Sequence, residues 1–132
     1  MSRTVRVRER MRPGAVAVAW HDSAEAALER MRTAGLDAVP VVDGPRVIGL
    51  LERAAASAAR RSGNWLEAVQ AASLMRHGSF ACGTADPVER ARAAMDRLGV
   101  GLLAVVDEGG SVVGVIGRER ATAALPALAA AS

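Results

Sequence analysis

The chain repeats itself. A shift of 64 residues carries Met11-Arg12 onto Met75-Arg76, Gly14 onto Gly78, Asp22 onto Asp86 and Glu25 onto Glu89. The same shift carries Ala27 onto Ala91, Met31 onto Met95, Gly35 onto Gly99, and Val41-Val42-Asp43 onto Val105-Val106-Asp107. One residue is then inserted, so Val47 and Gly49 meet Val112 and Gly114 at a shift of 65. Each copy is too short to bury its apolar surface well, whereas two copies can close one core. The fold must therefore be built twice.

Within each copy the strongest local signal is a hairpin. Val39, Val41 and Val42 precede the breaker Asp43-Gly44-Pro45, and Val47 to Leu51 follow it. β-Branched runs on both sides of an Asp/Gly/Pro cluster predict two strands and a turn. Leu102 to Ile116 repeats the pattern around Glu108-Gly109-Gly110. A helix is expected before each hairpin. Asp22 is read as its N-cap with Glu25 completing a capping box, Ala24, Ala27, Met31 and Ala34 share a face, and Gly35 stops it. In the second copy Asp86 is the expected N-cap and Pro87 the first helical residue, with a stripe of Val88, Ala91, Met95 and Leu98. Ala15 to Ala19 reads as a short strand and Glu52 to Arg61 as an Ala-rich helix. Trp65 to Met75 reads as a further helix with Trp65, Leu66, Val69 and Leu74 facing a core. Leu125 to Ser132 reads as a fraying, flexible end.

Composition excludes more than it selects. Half the 132 residues are apolar, but Phe80, Trp20 and Trp65 are the only aromatics, so the core is aliphatic and stacking surfaces are scarce. No apolar run reaches the roughly 18 residues of a membrane span, and the N-terminus lacks the apolar stretch of a secretory signal. The single Cys82 forbids an internal disulfide. The expectation is a cytoplasmic protein. All 17 basic residues are Arg and the net charge is +3. That excess is small beside what phosphate neutralisation recruits, so nucleic acid is not the expected partner, and the missing aromatics argue against single-strand recognition. Arg3, Arg6, Arg8, Arg10 and Arg12 form either the solvated face of a lead-in whose Val5 and Val7 point inward, or an anion-binding edge. His21, His77 and Cys82 show no ligand spacing for a metal, and Cys82 reads as a small buried hydrophobe. No enzyme is expected.

The order Met11-Arg12-Pro13, Ala27-Leu28-Glu29-Arg30-Met31, Gly35, Val39-Pro40-Val41-Val42-Asp43, Val47-Ile48-Gly49-Leu50-Leu51 resembles the CBS (cystathionine β-synthase) domain. The second copy carries Met75, Met95, Gly99, Leu103-Ala104-Val105-Val106-Asp107 and Val113-Gly114-Val115-Ile116 in the same order. The resemblance implies an α/β (α+β) fold of two β-α-β-β-α repeats packed sheet to sheet with pseudo-twofold symmetry. On it, residues 5–62 are repeat 1, residues 63–125 are repeat 2, and residues 126–132 are a tail. It also implies a regulatory module, commonly a homodimer, that binds adenine ligands such as AMP, ATP or S-adenosylmethionine between its repeats.

A purine needs an apolar slot, its ribose a paired acceptor, and its phosphates N–H groups, hydroxyls or Arg. The slots expected on the resemblance are Val39, Pro40 and Val41 in the first copy, and Leu103, Ala104 and Val105 in the second. The family's hydroxyl position is Glu52 in one copy and Gly117 in the other; its Asp position is Ala55 and Arg120. Its first-strand Thr falls on Ala17 and Ala81. Glu52 should repel a phosphate, so the second site is favoured, with Arg118 and Arg120 either holding an anion by bidentate bonds or lying as solvated surface arginines. No cofactor is required on this reading, and the regulated partner is not named by the sequence. The alternative is a ligand-free scaffold dimer that binds protein.

Overall fold

The valine-rich runs flanking Asp43-Gly44-Pro45 pair as β3 (Ala38–Asp43) and β4 (Arg46–Glu52) in the computed structural model, which describes residues 3–122. Their counterparts are β7 (Leu102–Val106) and β8 (Val112–Gly117). Pairing passes from Val41–Gly49 to Val42–Val47, leaving Ile48 as an extra residue. In the second hairpin it passes from Val105–Gly114 to Val106–Val112, leaving Val113. Both bulges thus fall at the same place in the repeat, where they bend the strand and turn its side chains.

Two four-stranded sheets result. The first runs β2 (Val18–Ala19), β3, β4, β5 (Arg76–His77); the second runs β6 (Ala81–Gly83), β7, β8, β1 (Arg12–Pro13). The mixed α/β class is as expected. In each sheet a short parallel strand enters beside the hairpin and a two-residue strand closes the other edge.

The two principal helices follow from apolar spacing. In α1 (Ala24–Ala34), Ala24, Ala27, Leu28 and Met31 are buried at helical intervals, and Gly35 ends the helix at φ +68°. In α4 (Val88–Leu98), Val88, Ala91 and Met95 are buried and Gly99 ends it at the same φ. The caps lie one residue later than expected. Ser23 caps α1, its Oγ accepting from Ala26 N at 3.0 Å, and Pro87 occupies the cap position of α4. Asp22 and Asp86 instead accept from Ala19 N at 2.9 Å and Gly83 N at 2.8 Å. Each aspartate closes the turn leaving the short strand with its Oδ2.

The helix expected over 65–75 is broken. Leu66–Ala68 is a 3₁₀ turn and α3 (Ala71–Leu74) a single turn. Between them the backbone pairs with the entry to α1: Ala24 N donates to Val69 O and Ala71 N to Asp22 O, both at 2.7 Å. Those bonds outcompete helix continuation. Leu66 is buried as expected, whereas Trp65 is 75% exposed and lies outside the core. The helix after the first hairpin forms as α2 (Arg53–Arg61), and α5 (Arg118–Thr122) follows the second. The expected tail lies outside the described residues.

The chain divides into two compact units. Residues 16–80 form one; the described residues 3–15 and 81–122 form the other. This division differs from the linear boundary between residues 62 and 63. Its cause is visible in the hydrogen bonds. Segment 69–78 closes the first unit; its duplicate, segment 5–14, closes the second. Val88 N donates to Val5 O, Val7 N to Asp86 O and Arg8 N to Thr84 O, matching the bonds of Ala24, Ala71 and Ala72 one repeat earlier. Gly14 N bonds Val113 O as Gly78 N bonds Ile48 O. The second unit is therefore a circular permutation of the first, its closing segment coming at the start of the chain instead of the end.

Met75 and Met11 occupy matching places in the two units. A Cβ on Gly49 would meet Met75 Sδ and Arg76 O, the latter at 2.7 Å. A Cβ on Gly114 would meet Arg12 O at 2.5 Å and Met11 Sδ at 3.1 Å. Only glycine lets the closing strand approach each hairpin this closely.

Candidate functional site

In both units the hairpin's second strand hands over to a helix with no linker. Glu52 ends β4 and Arg53 starts α2; Gly117 ends β8 and Arg118 starts α5. A backbone bond from the first helical residue secures each junction: Arg53 N to Asp37 O at 2.7 Å, and Arg118 N to Gly101 O at 2.9 Å. The closing segment runs alongside the same junction. The expected site residues collect near it, but their surroundings differ between units.

In the first unit, Val39, Pro40 and Val41 lie in the centre of β3 and are buried. Ala17 is half-buried just before β2. Glu52 has its carboxylate 3.9 Å from Arg76 Nη1, and the Arg76 guanidinium lies 5.7 Å above the Phe80 ring. The glutamate is thus partly neutralised. Ala55 and Leu74, on the two sides of this junction, pack against the unit's core.

In the second unit, Ala81 pairs with Ala104 in parallel register, and Leu102 pairs with Gly117. Leu103, Ala104 and Val105 expose no surface, so they are core residues first. The two arginines of α5 behave differently from each other. Arg118 donates through Nη1 to Asp96 and through Nη2 to Val100 O at 2.7 Å and Met95 O at 3.3 Å. Its guanidinium caps the C-terminal end of α4 and is occupied there. Arg120 turns the other way: its Nε donates to Arg10 O at 3.3 Å. Arg10 itself carries a buried Nε with no hydrogen-bond partner among the described residues.

The sequence groups Arg10 with the Arg-rich lead-in, and its place beside this junction follows from the register of β1 with β8. The pairing of Arg12 with Val115 and Pro13 with Gly114, continued two residues, brings Arg10 level with Gly117. The duplication sets Arg10 against Leu74 and Arg120 against Ala55. Two arginines therefore replace an apolar pair.

A groove of about 350 Å³ lies between α1 and α2, lined by Glu25, Leu28, Arg32, Arg53, Ser57 and Arg60. Its three arginines are each already paired, with Glu29, Asp37 and Glu25 respectively. Opposed charges cancel there, and the groove has no net attraction for an anion.

His21 packs edge-on against Trp20, with ring centroids 5.1 Å apart. Cys82 donates to Ala104 O at 3.7 Å, and burial, with the nearby Asp86 charge, pushes its thiol up to about 12. Such a thiol carries almost no thiolate near neutrality. Among the described residues no three of His, Cys, Asp and Glu gather as metal ligands, and no helix is long and apolar enough to cross a membrane.

The family model of the CBS domain matches residues 7–56 and again residues 71–127. The chain belongs to the CBS domain family. The two matches correspond to the two copies of the duplication. The fold is similar to the CBS domain pair of protein MJ0100, solved with 5′-methylthioadenosine and S-adenosyl-L-methionine. That likeness has a TM-score of 0.80 at 15% identity, over 96% of this chain and 99% of that one. It is similar also to the CBS domain of a bacterial CNNM/CorC family Mg2+ transporter in complex with ATP, at TM-score 0.72 and 21% identity, over 90% and 85% of the chains. CBSX2 in complex with AMP matches at TM-score 0.71 and 18% identity, over 94% and 98%. No curated protein sequence matches the chain.

Proposed function

We propose that this CBS pair is a non-enzymatic regulatory sensor that binds an adenine-type nucleotide or a related small anionic ligand. The observation that carries the reading is the family match over both repeats, joined to the adenine ligands of the three similar pairs. The second unit is the favoured site, with Ala81, Leu103, Ala104, Val105, Gly117 and Arg120 around the ligand. Arg118 drops out of the binding group because the end of α4 occupies its guanidinium. Val39, Pro40, Val41, Glu52 and Ala17 are the weaker set, since Glu52 places a carboxylate where a phosphate would need a donor. No cofactor is needed, and the module works as a homodimer on a partner protein whose activity it controls.

A thermal-shift screen of AMP, ADP, ATP, S-adenosylmethionine and NAD tests this. A ligand at 100 times its Kd adds about 2.7 kcal/mol of stability, which a melting curve resolves. A flat response to every compound overturns the sensor reading. It then favours a ligand-free scaffold, for which the exposed Trp65 and Trp20 speak, because exposed aromatics are enriched where proteins dock.

A further inference from the structure

We propose that Arg10 and Arg120 together form a phosphate subsite in the second unit. This rests on the sensor reading for the rest of the ligand, and it assigns the chemistry at one end: a group of at least two negative charges.

Four observations carry it. First, the Arg120 side chain reaches the Arg10 backbone, its Nε donating to the Arg10 carbonyl oxygen at 3.3 Å. Second, the Arg10 Nε is buried with no partner among the described residues. A donor on a charged group, removed from water and left unbonded, costs free energy unless something completes it. Third, none of the ion pairs among the described residues involves Arg10 or Arg120. Neighbouring Glu9 is held by Arg3 Nη2 at 2.7 Å and by Arg6 N at 2.8 Å, and Glu119, next to Arg120, takes part in none of the described ion pairs. This separates the place from the α1–α2 groove, where every arginine has its acid. Fourth, the fold does not require charge here. The first unit sets Leu74 and Ala55 at the same two positions and packs both on its core. Arginines at a position that accepts leucine and alanine are there for something outside the fold.

Two guanidiniums offer parallel N–H pairs that match the oxygens of a phosphate, and the charge of a phosphate monoester balances both. A neutral nucleoside gains nothing from them. The site should therefore rank ligands by phosphate, with AMP above adenosine.

The test exchanges the pair for its counterpart, Arg10→Leu with Arg120→Ala, in the full chain. The first unit shows that this pair packs, and a circular-dichroism melt checks it. Calorimetric titrations use AMP, adenosine and inorganic pyrophosphate on both proteins. The expected result is that wild type binds AMP at least tenfold more tightly than adenosine, and that the exchange abolishes this difference. Pyrophosphate should bind wild type more weakly as salt rises, and the variant not measurably. Equal affinities for AMP and adenosine overturn the subsite and leave the sensor reading standing. Pyrophosphate binding that the exchange removes, with no nucleotide bound, upholds the subsite and overturns the adenine reading. If the single exchanges Arg10→Leu and Arg120→Ala, like the double, keep the AMP preference, or if none of the three probes binds, the subsite is wrong.

Discussion

The two units share a backbone and differ in what they do with charge. In the unit of residues 16–80, arginines pair with acids: Arg32 with Glu29, Arg53 with Asp37, Arg60 with Glu25, Arg76 with Glu52. In the other unit Arg3, Arg90 and Arg118 also pair with acids, and Arg118 caps the end of α4 besides. But Arg10 and Arg120, joined by a side chain to main-chain bond, take part in none of the described ion pairs. A duplicated fold supplies its own control for this contrast. Where both copies hold the same apolar residue, that residue serves packing. Where one copy holds Leu74 and Ala55 and the other Arg10 and Arg120, packing has been satisfied once without charge.

The shared scaffold is tested first by its buried methionines. Met31 and Met95 sit at matching turns of α1 and α4, and neither is exposed. Met31→Ala and Met95→Ala should each cost about 3 kcal/mol in chemical denaturation. If one is costly and the other silent, the cores are not equivalent. Next come the glycines under the closing strands. Gly49→Ala and Gly114→Ala drive a Cβ into the backbone oxygens of Arg76 and Arg12, at 2.7 and 2.5 Å, and should each cost about 2 kcal/mol. Gly117→Ala is the control: its nearest neighbour, Gly101 O, lies 3.7 Å away, and the change should stay within about 0.5 kcal/mol.

The contrast itself is sharpened by Arg53 and Arg118, which start equivalent helices. Arg118 makes two main-chain bonds besides its ion pair, so Arg118→Ala should cost about 1.5 kcal/mol. Among the described residues the Arg53 side chain has an exposed pair with Asp37, and Arg53→Ala should cost about 0.5 kcal/mol or less. Equal costs would mean that capping α4 adds nothing beyond a surface ion pair.

What could be read in the chain followed from repetition and period. The spacing of Ala24, Ala27 and Met31 and of Val88, Ala91 and Met95 located α1 and α4, and the valine runs located both hairpins. The single inserted residue after Asp107 went into the second turn and left both bulges in register. What could not be read was decided by pairing at a distance. Arg12–Pro13 and Arg76–His77 are two-residue strands with no period to detect. Nothing local says that the segment 5–14 closes the unit to which β8 belongs. The same pairing broke the expected helix at Val69 and Gln70, and turned Trp65 outward. Site residues suffered likewise. Arg118 looked like an anion donor because its position starts a helix, while its guanidinium had a closer demand at Met95 O and Val100 O. Arg10 needed the register of β1 with β8 before it could be set beside Gly117.

The smallest effect concerns acid. Hydrogen bonds from the Arg3 side chain and then from the Arg6 backbone hold the Glu9 carboxyl down to about 2. A carboxyl whose folded value is depressed adds stability that is present above its unfolded value near 4.5 and is lost as pH falls from there through about 2. The matching position of the first unit is Ser73, which does not titrate, so this acid sensitivity belongs to one unit only. Glu9→Gln should narrow the stability difference between pH 5 and pH 2.5 by a small but reproducible amount. The Arg6 amide, which donates to Glu9 Oε2, should follow the same titration by NMR with a midpoint near 2. The side chains concerned are exposed and salt-screened, so the shift should shrink as salt is added. A midpoint near 4.5 at low salt would mean that Glu9 is ordinary. Its bonds to Arg3 and Arg6 would then not hold in solution, and it would be available to neutralise the arginine beside it.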